Sequence, residues 1–144
     1  MSTWKRKAIE IFPDLRHEFE SLDTSIYGVF FELLPRVREA HKRQDNIELQ
    51  KIYDYAEWCF RQPAQELWNA AAVAFYEHLV DEQIMRDQIS LWIKPDIFHE
   101  LTSLFKSRLS KEEYWKLCSE YEVSKDKVID RNQTIAKHRK IKRR

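Results

Sequence analysis

Two pairs of side chains in this 144-residue sequence have a spacing that can hold a metal: Asp14 with His17 and Asp96 with His99, each at i and i+3 on one helical face. Glu57 and Glu77 are the acids that could complete a di-metal set. Carboxylate-bridged bundles use Glu-x-x-His, whose longer acid reaches a shared ion, and a chain with 24 acids contains such pairs by coincidence. Solvated helix faces are the favoured reading, and no cofactor or metal is expected. The chain has no zinc-type Cys and His spacing and no His-Glu-x-x-His. Cys59 and Cys118 stand among apolar residues at helical spacing, away from any strained turn with a neighbouring base, so both are expected to be buried free thiols. Acid pairs such as Asp81-Glu82 and Glu112-Glu113 fall at helix starts, where they complement the backbone dipole. Di-metal or paired-carboxylate catalysis stays open as a less favoured class, and the chain is read as no enzyme.

Aromatic side chains interleaved with charge say more. In Tyr53-Asp-Tyr-Ala-Glu-Trp-Cys-Phe-Arg61 a helix carries Asp54, Glu57, Trp58 and Arg61 on the side opposite its apolar stripe. Glu66-Leu-Trp68 repeats the mixture, and Glu77 ends the next helix similarly. One reading places the indoles in the core with the acids bonded to neighbours. The other is a shared acidic and aromatic groove that docks a protein, because tryptophan, tyrosine and arginine dominate interface hot spots. On that reading the partner-binding residues are Asp54, Glu57, Trp58, Arg61, Glu66, Trp68 and Glu77.

Charge is unevenly spread. Residues 123–144 hold nine basic and two acidic side chains, a local +7 within a chain of net +1, so residues 1–122 carry −6. An acidic body steers cationic partners and repels nucleic acid, while the basic run that ends the sequence is either a solubilising end or a nucleic-acid contact arm. That arm supports the alternative of a nucleic-acid-associated protein. No apolar segment follows the charged N-terminus and none is long enough to span a bilayer, so a cytoplasmic chain without membrane contact is expected.

The elements that position these residues follow from composition and periodicity. A lone glycine, Gly28, where average usage supplies about ten, excludes phosphate-cradling loops and hairpin-rich β folds. Apolar residues recur at three- and four-residue intervals, which predicts an all-α fold. One helix is expected over residues 3–21, kinked or restarted at Pro13. A second follows the Asp23-Thr24-Ser25 cap with Ile26, Phe30, Leu33, Leu34 and Val37 inward and a bend at Pro35. A third buries Leu49, Ile52, Tyr53, Ala56, Cys59 and Phe60. A fourth, with Pro63 in its first turn, presents the small face Leu67, Ala70, Ala71, Ala74 and Leu79 and is the expected central helix. A short segment over 81–90, a helix over 95–108, and one opened by a Ser110/Glu113 capping box complete the body, with Tyr114, Leu117, Cys118 and Tyr121 inward. Ser124 is expected to cap a last helix running into the basic end. The organisation expected is a single helical domain over 1–122, built of antiparallel α-hairpins stacked as a short HEAT/TPR-like superhelix or a compact bundle, with a basic helix or tail over 123–144.

The order Arg43-Gln-Asp-Asn46, Ile52-Tyr-Asp-Tyr-Ala-Glu-Trp-Cys-Phe60, Glu66-Leu-Trp-Asn-Ala-Ala-Ala-Val-Ala-Phe-Tyr-Glu-His-Leu79, then Trp92, Pro95 and Phe98, resembles a bacterial family of small, mostly uncharacterised all-helical proteins. Some of these act as immunity proteins beside polymorphic toxins of the contact-dependent inhibition type. The resemblance covers about two thirds of the chain and leaves the N-terminal segment and the basic end unmatched. It implies a binding protein that neutralises a cognate toxin, for example a basic nuclease whose substrate channel an acidic surface can occupy.

Overall fold

The computed structural model describes the backbone of residues 1–136 and the side chains of residues 1–124. Helix α1 spans Thr3–Ile11 and ends at Phe12, because Pro13 disfavours helical geometry in the residue before it. Pro13 opens a 3-10 turn over Pro13–Leu15, and α2 follows at Arg16–Glu20. Helix α3, Ile26–Arg43, is capped by Ser25, whose Oγ accepts from the Gly28 amide at 3.2 Å. It runs through Pro35 and closes at Gln44 in left-handed geometry, φ 54°. Helix α4, Asn46–Phe60, begins where the Asp45 carboxylate accepts from the Glu48 amide at 3.2 Å.

Residues 65–80 form one rod of three geometries: α5 over Gln65–Ala70, a π turn over Ala71–Phe75 and a 3-10 turn over Tyr76–Val80. The rod starts after Ala64, so Pro63 precedes it rather than lying in its first turn. Its face of Ala70, Ala71, Ala74 and Leu79 is buried, with α3 and α4 packed against the rod. The segment expected over 81–90 is two single-turn helices, α6 (Gln83–Arg86) and α7 (Ile89–Trp92). Helix α8 is Pro95–Arg108, and α9 is Lys111–Ala136. The capping box is present: Ser110 N–H donates to Glu113 Oε1 at 2.9 Å, and Glu113 N–H to Ser110 Oγ at 3.1 Å.

Ser124 caps no separate helix. It lies inside α9, because residues 123–136 contain neither glycine nor proline to stop the helix. The domain edge expected at 122/123 falls within that helix, and the basic run 137–144 lies outside the described residues.

The elements stack largely in chain order: α1 on α3 and α4, these on the 65–80 rod, the rod on α8, and α7 and α8 on α9. The fold is all-α, with no strand among the described residues. One aromatic chain runs through its centre. Phe30 lies 5.7 Å from Tyr55 and 5.6 Å from Phe75 between ring centroids, while Tyr53 meets Phe75 at 5.7 Å and stacks on Trp92 at 5.4 Å.

His41 is buried beside that chain, its Nδ1 2.9 Å from Gln88 Oε1 and its Nε2 2.8 Å from the Tyr53 hydroxyl. With Gln88 presenting an oxygen, Nδ1 carries the proton and Nε2 accepts from Tyr53. Burial pushes the imidazole below its ordinary 6.5, and the Gln88 bond offsets this only in part. Between the lowered folded value and 6.5 the unfolded chain binds the extra proton, so stability is full above 6.5 and falls as pH drops. Denaturation midpoints at pH values on either side of 6.5 are expected to show that fall in the native chain. A weaker slope is expected in His41→Gln.

Candidate functional site

Helix α4 is buried on two sides. Leu49, Ile52, Tyr53, Ala56 and Cys59 enter the core, as their spacing predicts, with Phe60 half-buried. Tyr55 is also fully buried: its ring meets Phe12 edge-on at 6.3 Å and its hydroxyl donates to the Trp4 carbonyl at 2.9 Å, tying α1 to α4. Outside the core, at i, i+3, i+4 and i+7, Asp54, Glu57, Trp58 and Arg61 form one rim. With Lys7, Ile11 and Gln62 they line an open groove of about 470 Å³. A second hollow of about 200 Å³, lined by Thr3, Arg6, Lys7, Glu10 and Trp58, adjoins it, so Trp58 and Lys7 stand in the wall of both. The indole is half-buried, stacks on Tyr55 at 6.3 Å and 22°, and carries the Lys7 ammonium 5.2 Å from its ring centroid.

The groove holds both signs of charge rather than an acidic field. Glu57 Oε2 accepts from Arg61 Nε and from Lys94 Nζ, each at 2.8 Å. Burial alone would raise the Glu57 carboxyl, but Lys94 and Arg61 outweigh it and hold the group below the usual carboxylate range. Arg61 also grips Asp96 through Nη1 at 2.7 Å and Nη2 at 3.2 Å, which lowers the Asp96 carboxyl and fixes α4 to the start of α8. Two groove charges remain uncommitted. Asp54 accepts from Gln50 Nε2 at 2.7 Å and Lys7 rests on Trp58, and neither joins an ion pair among the described residues.

Of the seven residues expected to form the docking surface, four are brought together here. Glu66 and Trp68 are exposed on α5, with Trp68 39% accessible, and Glu77 is half-buried near the Asp81–Arg108 pair; none lines the groove. The expectation of one shared face is corrected to that extent, because Glu66, Trp68 and Glu77 stand beyond Pro63 on the 65–80 rod while the groove is walled by α1 and α4. Neither indole is buried in the core. Lys7, Ile11 and Gln62 were missed, since nothing in residues 3–11 shows that this helix crosses α4; the Lys7 and Ile11 spacing of four is the signal that pairs them.

In each of the two metal-type pairs the aspartate is held by an arginine. Asp14 binds Arg36 at 2.8 Å and Asp96 binds Arg61, and no group of three or more His, Cys, Asp or Glu placed to hold an ion occurs among the described residues. Both cysteines are free. Cys59 is buried, which pushes its thiol up to about 12, whereas Cys118 is only half-buried beside Tyr114. No helix among the described residues is long and apolar enough to cross a membrane.

A family model described as "Domain of unknown function (DUF7674)" matches residues 6–117, which include both walls of the larger groove. No curated protein and no solved structure matches the chain.

Proposed function

The chain belongs to the family described as a domain of unknown function (DUF7674), and from its surface we propose that it is a non-enzymatic protein-binding module, an immunity protein that captures and neutralises a cognate toxin in the bacterial cytoplasm. The observation that carries the proposal is the convergence of Asp54, Glu57, Trp58 and Arg61 with Lys7 on one open groove. The groove stands on fixed parts. Tyr55 locks α1 to α4 and Arg61 locks α4 to α8, so a partner meets a preformed surface and little ordering cost opposes binding. A half-exposed indole framed by charges is the composition of an interface hot spot. A standard interface takes about 800 Å² per partner, less than a tenth of this chain's 9289 Å², so one face centred on the groove suffices. The charge of −6 over residues 1–122 favours a basic toxin domain, whose approach it accelerates.

Capture of the neighbouring gene's product on the immobilised chain tests this. Asp54→Lys is expected to weaken capture at least about tenfold with an unchanged melting temperature, since Asp54 is exposed and hydrogen-bonds, among the described residues, to Gln50 alone. Glu66→Lys, outside the groove, is expected to change it less than about twofold. Equal retention by both variants would remove the groove from the interface.

A further inference from the structure

We infer that the Trp58 wall of the groove is a socket for an arginine side chain of the partner protein, an inference that rests on the docking function proposed above. The free chain already places a cation there: Lys7 Nζ stands 5.2 Å from the Trp58 centroid with no carboxylate partner among the described residues. One helical turn before Trp58, the exposed carboxylate of Asp54 lines the same groove and, among the described residues, is hydrogen-bonded only to the neutral amide of Gln50 at 2.7 Å. An aromatic face and an unpaired carboxylate on one helix side are the two elements that recognise a guanidinium, the first by cation–π stacking and the second by a forked hydrogen bond. Ile11 supplies apolar wall for the methylene stem.

Guanidinium is the better occupant of the two basic side chains. It is flat, weakly hydrated and forked, so it stacks on the indole and reaches Asp54 at once, while an ammonium does only one of these well. Lys7 is therefore a placeholder that a partner arginine displaces. The other charges of the groove are already spoken for. Glu57 is held by Lys94 and Arg61, and Arg61 by Glu57 and Asp96, so neither is free to receive a new ion. An anionic side chain would have Lys7 as its receptor, and the consequences of removing Lys7 are opposite in the two cases.

The test titrates the full isotope-labelled chain with N-acetyl-arginine methylamide and, separately, with its neutral citrulline counterpart, following the Trp58 indole N–H resonance identified by its loss in Trp58→Phe. A saturable shift with arginine and none with citrulline is expected. Lys7→Gln is expected to tighten the arginine response about threefold by removing the competitor, and Asp54→Asn to weaken it at least about fivefold. Equal responses to the two probes, or a weaker arginine response in Lys7→Gln, would overturn the inference. If partner capture depends on Trp58 while arginine gives no shift, the socket falls and the docking function stands. If arginine binds but capture ignores Trp58, the docking function falls, and with it the partner as the source of the arginine.

Discussion

Replacing Trp58 by alanine is expected to weaken partner binding by about 2–4 kcal/mol, roughly thirtyfold to a thousandfold. The indole forms part of both hollows, so its removal merges them and leaves Lys7 without the ring beneath its ammonium. Hot-spot losses of this size come from side chains that a partner fully desolvates, and a half-exposed tryptophan between charged neighbours meets that condition once covered. The same change also removes the stack on Tyr55 and costs about 1–2 kcal/mol of stability. Trp58→Phe separates the two effects, since a phenyl ring keeps most of the apolar contact while offering a smaller and weaker face to a cation. Trp115, 63% exposed on α9, is the control: Trp115→Ala is expected to leave both binding and stability nearly unchanged. Calorimetric titration and thermal melting on the same samples give both numbers.

The largest loss of stability is expected from Tyr121→Ala, about 3–5 kcal/mol. Tyr121 is buried, its ring lies parallel to that of Phe98 at 3.8 Å and 4°, and its hydroxyl donates to the Ile93 carbonyl at 2.7 Å. One side chain thereby binds α9 both to α8 and to the strand-like residue that follows α7. Alanine leaves a cavity the size of a ring and an unsatisfied carbonyl. Tyr121→Phe keeps the stack and loses the hydroxyl's bond to Ile93, so about 1–2 kcal/mol is expected. Denaturant midpoints measure both. Partner binding by the folded fraction is expected to be unaffected, because α9 packs on α7 and α8 whereas the groove belongs to α1 and α4.

The fold was legible where local chemistry marks it. Ser25 and the Ser110/Glu113 box cap helices at the positions their types predict, and Ile26, Phe30, Leu33 and Val37 enter the core at helical spacing. Long-range packing is where local pattern ran out. Tyr55 flanks the main apolar stripe of α4, and its burial between Phe30 of α3 and the arriving α1 is long-range packing that local pattern does not show; the arrival of α1 is also what makes a groove beside Trp58. Glu57 and Arg61 looked like free surface charges until Lys94 and Asp96, some thirty-five residues away in sequence, were found to hold them. Glu66 and Trp68 share the composition of the groove residues but stand beyond Pro63 on another element, and composition carries no direction. Ser124 shows the converse failure: a residue type that favours helix starts is overridden when the surrounding sequence contains nothing to end the helix already running.

Hydrogen exchange of the full chain, compared with and without the captured product of the neighbouring gene, tests the location of the proposed interface most directly. The groove account predicts that exchange slows in α1 and over residues 54–62, with α9 and the exposed face of α5 unchanged. Slowing confined to α5 around Glu66 and Trp68, or to α9, with α1 and residues 54–62 unaltered, would contradict it.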